Sequence, residues 1–280
     1  MKLNRISVFS CLLALTFLPN LSSGQTSSST RFDMEKDLLL VQMDCKTDVD
    51  DIHTAAALYT LMSQPDFQGV NYLPVAGTYG VQEGLYVSPN ELLDVAFGKK
   101  WADADADRAK ALKEVMKKAK KALNSGGDIW IAEAGQSDFS ALLIQEIQKT
   151  MSQIKPSERI HVVQHSNWNE KVTSEEALAF VKATADYHKI PDGNAVGNGS
   201  PGFRTPGYTQ WQTQLSDPKQ LEVWQLAVKI GLEYNGVEGR YNNEAVAENG
   251  LDFSDLSEVC YILGLEEIKD TEEFFGRFAK

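Results

Sequence analysis

The sequence has few cysteines, few basic residues and no long apolar run beyond residues 6–18. Of its three cysteines, only Cys45 and Cys260 lie outside that run, which excludes a disulfide-rich scaffold and leaves open whether these two pair. The 27 basic residues are outnumbered by 39 acidic ones, so the net charge is −12. This charge disfavours nucleic acid and anionic membranes as partners and favours a neutral or metal-bridged small molecule.

Motifs of several common chemistries are also missing. The sequence contains no Gly-rich phosphate loop, no G-x-S-x-G nucleophile elbow and no Cys/His spacing typical of a zinc site. Phosphate-loop nucleotide hydrolysis, serine-hydrolase chemistry and a zinc finger are therefore not expected.

Residues 1–24 have the order of a secretory signal peptide. A basic start is followed by an apolar run and by small residues that end at Gly24, and the run is too short to cross a bilayer. The alternative for this segment is a core helix. We predict a signal peptide over residues 1–24, a flexible leader over residues 25–34 and one domain over residues 35–280. The mature chain is then secreted or periplasmic and free of the membrane.

Short apolar runs alternate with longer amphipathic ones, which is typical of an α/β protein with a mainly parallel open sheet and helices on both faces. Strands are predicted at residues 38–43, 70–75, 128–132 and 159–164, and helices at residues 51–62, 105–123, 137–151, 174–188 and 217–234. Residues 190–209 are rich in Gly, Pro and Asn, and they predict an irregular loop over the active face, because ligands of such sheets bind at the carboxyl ends of the strands.

A cluster of acids follows the first predicted strand directly. Asp44, Asp48, Asp50 and Asp51 share one short turn before a helix, and four ionised carboxylates there would repel one another. A bound Ca²⁺ or Mg²⁺ is the simplest compensation, since hard cations take several oxygen ligands. The alternative is helix capping, which explains one or two acids but not all of them.

This strand, acidic turn and helix resemble the signature of the nucleoside hydrolases, D-x-D-P-G-x-D-D. The turn is closer to the D-x-x-x-D-x-D-D of a divergent, secreted bacterial branch of nucleoside-hydrolase-like domains. Later segments resemble further family motifs in the family's order. They are Val75-Ala76-Gly77-Thr78 for V-A-G-N, the turn from Glu133 to Asp138 for G-P-L-T, Asn167-Trp168-Asn169 with Ser174-Glu175-Glu176-Ala177 for E-F-N and D-P-E-A-A, and Phe253-Ser254-Asp255-Leu256 for L-H-D-P.

The resemblance implies a nucleoside-hydrolase-like fold and a metal-dependent hydrolase of N-glycosidic bonds. Its substrate would be a nucleoside or a ribosyl-like glycoside. The implied ligands of Ca²⁺, with Mg²⁺ as the alternative, are Asp44, Asp51, Asp255 and the backbone carbonyl of Asp138, while Asp48 either joins them or offsets Lys46. The implied catalytic residues are Asp44, which accepts the proton of a water, and Asp50. Sugar hydroxyls are assigned to Asp50, Asn167 and Asn169, with Thr78 beside them. Trp168 flanks the irregular loop, where its ring either stacks on a base or sugar or packs in the core.

The sequence departs from the family pattern at two positions of the site. Asn167 stands in place of a sugar-binding Glu, and Ser254 in place of a His that in many members lies near the leaving base. His165 is a candidate substitute donor, with a structural role as the alternative. These departures favour a second class of function, a non-catalytic sugar- or nucleoside-binding module. A metal-dependent phosphoesterase would need more basic residues than Lys46 near the acids. A homo-oligomer is left open.

Overall fold

Six parallel strands form the central sheet of the computed structural model, which describes residues 31–279. They are β1 (Leu38–Met43), β2 (Tyr72–Ala76), β3 (Ala102–Asp103), β4 (Ile129–Ala134), β5 (Ile160–Gln164) and β6 (Asp186–Lys189), in the spatial order β3-β2-β1-β4-β5-β6. Two further strands, β7 (Arg204–Thr205) and β8 (Leu251–Asp252), form an antiparallel pair. The strand order reverses between β1 and β4, where open parallel sheets bind their ligands.

Helices flank the sheet, so the predicted α/β class is confirmed. They are α1 (Asp50–Met62), α2 (Asn90–Phe97), α3 (Arg108–Asn124), α4 (Asp138–Thr150), α5 (Pro156–Arg159), α6 (Asn167–Lys171), α7 (Glu175–Thr184), α8 (Trp211–Gln214), α9 (Pro218–Tyr234), α10 (Glu244–Ala247), α11 (Leu256–Leu263) and α12 (Thr271–Phe278). Short 3₁₀ turns occur at Pro65–Phe67 and Val237–Gly239. Within residues 31–279, none of these helices combines the length and apolarity that a membrane crossing requires.

The core consists of two apolar layers, one on each face of the sheet. Alternate residues of a strand point to opposite faces, so Leu39 and Val41 of β1 pack with α1, α9 and α11, whereas Leu38 and Leu40 pack with α3, α4 and α7. All residues of β1 and β4 are buried. This double burial explains why the central strands have continuous apolar runs in the sequence.

The structure corrects one predicted helix and part of the leader. The helix expected at residues 174–188 ends at Thr184, and Asp186–Lys189 form strand β6 instead. Ala185 is extended, with φ −96° and ψ 170°, and the buried Val181 and Ala185 lie at a helical spacing that hides this boundary. Phe32, which the prediction placed in the leader, is only 1% exposed and belongs to the packed domain.

The structure answers whether the two cysteines pair, but it does not test the predicted signal peptide. Cys45 and Cys260 are both buried, and neither forms a disulfide within residues 31–279. The predicted signal peptide over residues 1–24 and the start of the leader lie outside the described residues, so export remains a prediction.

The contact between α1 and α9 is tight around His53, a fully buried residue. The backbone N–H of Asp252 donates to His53 Nδ1 at 3.2 Å, and burial lowers the pKa of His53 to about 4. A Cβ added at Gly231 on α9 would lie 2.9 Å from His53 Nε2. The ring also packs against Trp224, with a centroid distance of 6.3 Å. His53 therefore has little room to move.

We expect Gly231→Ala to lower the free energy of unfolding by about 1–3 kcal/mol, because overpacking exceeds the gain in helix propensity. Gly276→Ala in α12 is the matched control. A Cβ there meets no atom of residues 31–279 within 4 Å, so this variant should be stabilised by up to about 1 kcal/mol. Urea unfolding of both variants measures the difference, and equal effects would contradict the packing argument.

Candidate functional site

A cavity of about 360 Å³ lies at the carboxyl ends of β1, β4 and β5. Its volume is within the range of small-molecule sites, about 300–1,000 Å³. The acids that line it are Asp44, Asp48, Asp50, Asp51 and Asp255, and its other polar or aromatic side chains include Lys46, Gln82, His165, Trp168, Asn169, Asn194, Arg204 and Tyr241. The cavity therefore lies at the point where the strand order reverses, and it is predominantly acidic.

Three carboxylates converge in the wall of this cavity. Asp50 and Asp51 begin α1, and Asp255 directly precedes α11. Each of the three offers an oxygen that lies within 4.8 Å of the others. Asp51 is 2% exposed and Asp255 is 6% exposed. The fold thus brings together acids from the first strand's exit and from a segment near the end of the chain.

Backbone amides orient two of these neighbouring acids. The N–H of Cys45 donates to Asp51 Oδ2 at 2.5 Å, and the N–H of Lys46 donates to Asp44 Oδ1 at 2.7 Å. Cys45 has a positive φ of 54°, which belongs to the tight turn that follows β1. Gln136 completes the arrangement, because its Nε2 donates to Asp44 Oδ2 at 2.6 Å. Both carboxylate oxygens of Asp44 therefore accept a hydrogen bond, whereas only one oxygen of Asp51 does.

The second oxygen of Asp51, Oδ1, is buried and accepts no hydrogen bond from residues 31–279. An unpaired buried carboxylate oxygen is costly. Burial raises the pKa of Asp50, Asp51 and Asp255 well above the usual range, and neighbouring carboxylates raise it further. Burial likewise raises the pKa of Asp44 to about 7. A hard divalent cation would remove both the repulsion and the unpaired oxygen.

Asp48 belongs to a separate hydrogen-bonded group. Asn243 Nδ2 lies 3.1 and 3.3 Å from the two carboxylate oxygens of Asp48 and donates to Asp252 Oδ2 at 2.8 Å. Arg204 Nε lies 3.4 Å from the same oxygen of Asp252. The close trio is instead Asp50, Asp51 and Asp255, so the structure brings Asp50 nearer to the candidate metal ligands than the sequence assignment did.

His165 is held by a buried acid that the sequence analysis missed. Its Nδ1 lies 2.7 Å from Glu258 Oε1, and Glu258 is fully buried. His165 Nε2 lies 3.8 Å from Asp255 Oδ1 and 4.0 Å from Asp192 Oδ1. Burial lowers the pKa of His165, but the carboxylates of Glu258 and Asp192 raise it, so the net shift is upward. Asp255 and Glu258 are three residues apart around α11, a helical spacing that indicates a shared face.

The predicted substrate-binding residues divide into two groups. Trp168 and Asn169 line the cavity, with Trp168 55% exposed. Asn167 is exposed and Thr78 is fully buried, and the structure brings neither into the cavity wall. Asp138 is also outside the wall, and its carboxylate accepts a hydrogen bond from Ser174 Oγ at 2.6 Å. Their assigned roles therefore have no support from the geometry.

Comparison with known proteins gives no relative. No family model, no curated protein and no solved structure matches this chain. Any functional conclusion therefore depends on the geometry of the cavity and on the motifs that led to it.

We expect the metal-free protein to become more stable, relative to Asp255→Asn, as the pH falls from about 8 to about 5. Burial and neighbouring carboxylates hold the pKa of Asp255 well above its ordinary value of 3.8 in the folded chain, and Asp255→Asn removes this titration. The folded state takes up protons at a higher pH than the unfolded chain, so stability is gained as the pH falls until the unfolded chain is also protonated, and the variant gains less.

Removing one charge of the cluster should reduce this pH dependence. At about pH 8 in a chelator, Asp255→Asn should be more stable than the unaltered chain by about 0.5–2 kcal/mol. Denaturant unfolding across the pH range measures both quantities. Parallel pH profiles for the two proteins would show that the carboxylates do not repel one another.

Proposed function

We propose that this chain is a metal-dependent hydrolase of N-glycosidic bonds, acting on a nucleoside or a ribosyl-like glycoside. The observation that carries the proposal is the unpaired, buried Oδ1 of Asp51 beside Asp50 and Asp255, in the wall of a cavity of small-molecule size. The fold and the order of the motifs support a nucleoside-hydrolase-like type. We further propose that the chain is exported, as its first residues predict.

The donor set fits a hard cation. Asp50, Asp51 and Asp255 offer only carboxylate oxygens, which suit Ca²⁺ or Mg²⁺ better than softer transition metals. These three residues would hold the ion, and we favour Ca²⁺ because it accepts irregular oxygen geometry, whereas Mg²⁺ requires a near-octahedral one. The chemistry that such an ion supplies is a lowered pKa for water and an anchor for vicinal hydroxyls.

Asp44 is the proposed proton acceptor. Its carboxylate lines the cavity beside the proposed metal ligands, where it can accept a proton from water. The amides of Lys46 and Gln136 fix the position of its carboxylate, at 2.7 and 2.6 Å. A carboxylate held in a fixed orientation beside a water site is the geometry that general-base catalysis requires.

The acidic wall also suits the proposed reaction. Cleavage of an N-glycosidic bond passes through an oxocarbenium-like state, in which positive charge develops on the sugar. Ordered carboxylates near that charge stabilise it electrostatically. Asn169, which is 9% exposed, supplies a hydrogen-bonding amide for a sugar hydroxyl, and Trp168 supplies an exposed ring against which a planar leaving group can stack.

His165 is the proposed donor to the leaving group. Glu258 fixes the ring through Nδ1 at 2.7 Å, which leaves Nε2 beside the cavity acids. This arrangement compensates for Ser254, which stands where the family has its His. Glu258 is then a positioning residue, since it acts through His165.

A second candidate function is a binding module without catalysis. Ser254 Oγ is buried and has no hydrogen-bond partner within residues 31–279, and Asn167 is exposed outside the cavity wall. Both observations favour a chain that retained the fold and the acids while it lost groups used by an enzyme. Turnover of a substrate distinguishes the two candidates.

We expect Asp51→Asn to weaken Ca²⁺ binding at least about tenfold, because the variant removes the charge of a buried ligand. Isothermal titration calorimetry of the chelator-treated full chain measures the affinity. Asp66→Asn is the matched control, since it changes the same charge at an exposed position past the other end of α1, outside the cavity wall. Equal affinities in the two variants would exclude the proposed metal centre.

We expect His165→Gln and Glu258→Gln to reduce kcat by about 100-fold or more on a ribonucleoside, because the leaving base then departs without a proton. A nitrophenyl riboside, whose leaving group needs no proton, should lose far less activity. Release of reducing sugar in the presence of Ca²⁺ measures both reactions. Binding of nucleosides without any turnover would reject the enzyme and favour the binding module.

A further inference from the structure

A second cluster of metal-ligand side chains lies on β5 and β6, on the sheet face covered by α11. It consists of His161, Asp186 and His188. His161 is directly opposite Asp186 in the strand register, and His188 is opposite Val163, so the three side chains share one face of the sheet. His161 lies near the start of β5, whereas His165 of the cavity follows its end. Along the strand, His161 and Asp186 are therefore about 13 Å from His165, and His188, which is opposite Val163, is about 7 Å from it.

The three side chains meet at one oxygen atom. His161 Nδ1 lies 2.7 Å from Asp186 Oδ2, and His188 Nε2 lies 2.8 Å from the same oxygen. Ligands around a tetrahedral Zn²⁺ are separated by roughly 3.3 Å, so the rings need to move by only about 0.5 Å to admit an ion. The side chains of His161, Asp186 and His188 are 13%, 41% and 28% exposed, which leaves a path from solvent.

Each imidazole also has a partner for its other nitrogen. His161 Nε2 lies 3.4 Å from Asp128 Oδ2, and His188 Nδ1 lies 3.4 Å from the hydroxyl of Tyr261. Histidines that bind metals almost always have such an outer partner, which fixes the tautomer and the ring orientation. Trp130 stacks on the ring of His161 with a centroid distance of 4.0 Å. The two rings are therefore held in place before any ion binds.

We propose that His161, Asp186 and His188 form a binding site for one transition-metal ion such as Zn²⁺, separate from the acidic cavity. Two imidazoles and one carboxylate suit zinc and its neighbours in the first transition row, whereas the all-oxygen cavity suits Ca²⁺. Three protein ligands leave a fourth position open to water or to a small ligand. This site does not depend on the proposed hydrolase activity.

The test is a Zn²⁺ titration of the full chain by calorimetry, with excess Ca²⁺ present to occupy the acidic cavity. We expect one Zn²⁺ per chain. His188→Gln and Asp186→Asn should each weaken binding by at least about tenfold. Co²⁺ in place of Zn²⁺ should give a visible absorption band that both variants lose. Circular dichroism without metal confirms that each variant is folded before it is titrated.

The matched controls change titratable residues of the acidic cavity instead of the proposed zinc ligands. His165→Gln removes a histidine beside the cavity, and Asp51→Asn removes a proposed Ca²⁺ ligand, so neither should change the affinity for Zn²⁺. No Zn²⁺ binding by the unaltered chain, or equal affinity in folded His188→Gln, would overturn the proposal. Loss of Zn²⁺ binding in Asp51→Asn would also overturn it, because it would assign the ion to the cavity.

Discussion

Several carboxylates are buried at one point of this fold, where each disfavours the ionised form of its neighbours. After the larger effect of burial, Asp44 raises the pKa of Asp51, and Asp51 in turn raises the pKa of Asp255. The amides of Cys45 and Lys46 offset part of this charge. A fold accepts such destabilisation where the acids serve a purpose other than stability. The proposed cation would remove this cost, which packing alone leaves in place.

Rigid elements, rather than loops, set the distances in this cluster. Asp44 follows β1, Asp51 begins α1 and Asp255 precedes α11, and both helices pack on the same face of the sheet. The positive ends of the two helix dipoles face the acids and favour their ionised forms. Sites supported in this way keep their geometry more accurately than sites built from loops alone.

Local pattern was sufficient to predict the parts of the fold that burial dictates. Strand β1 and its acidic turn were visible because a doubly buried strand has a continuous apolar run. Strand β6 was not visible, since Asp186–Lys189 is short, polar and only partly buried.

Glu258 was missed because a single acid on an apolar helix has no local signature. Motif similarity assigned Thr78 and Asn167 to the substrate site, but neither lines the cavity. A motif gives the position of a residue in the sequence, whereas the direction of its side chain depends on tertiary packing. Arg204 and Tyr241 line the cavity from segments distant in sequence. Long-range contacts tie these segments down, between Arg204 and Asp252 and between Asn243 and Asp48.

The turn between Asp44 and Asp50 has a consequence for the changes of length that the site tolerates. Its outer acids are anchored at the end of a strand and at the start of a helix, and the residues between them are engaged as well. The amides of Cys45 and Lys46 hold the carboxylates of Asp51 and Asp44, and Asn243 donates to Asp48. Closing a slightly longer loop costs well under about 1 kcal/mol, but a residue inserted or deleted here would displace the amides that orient two of the acids.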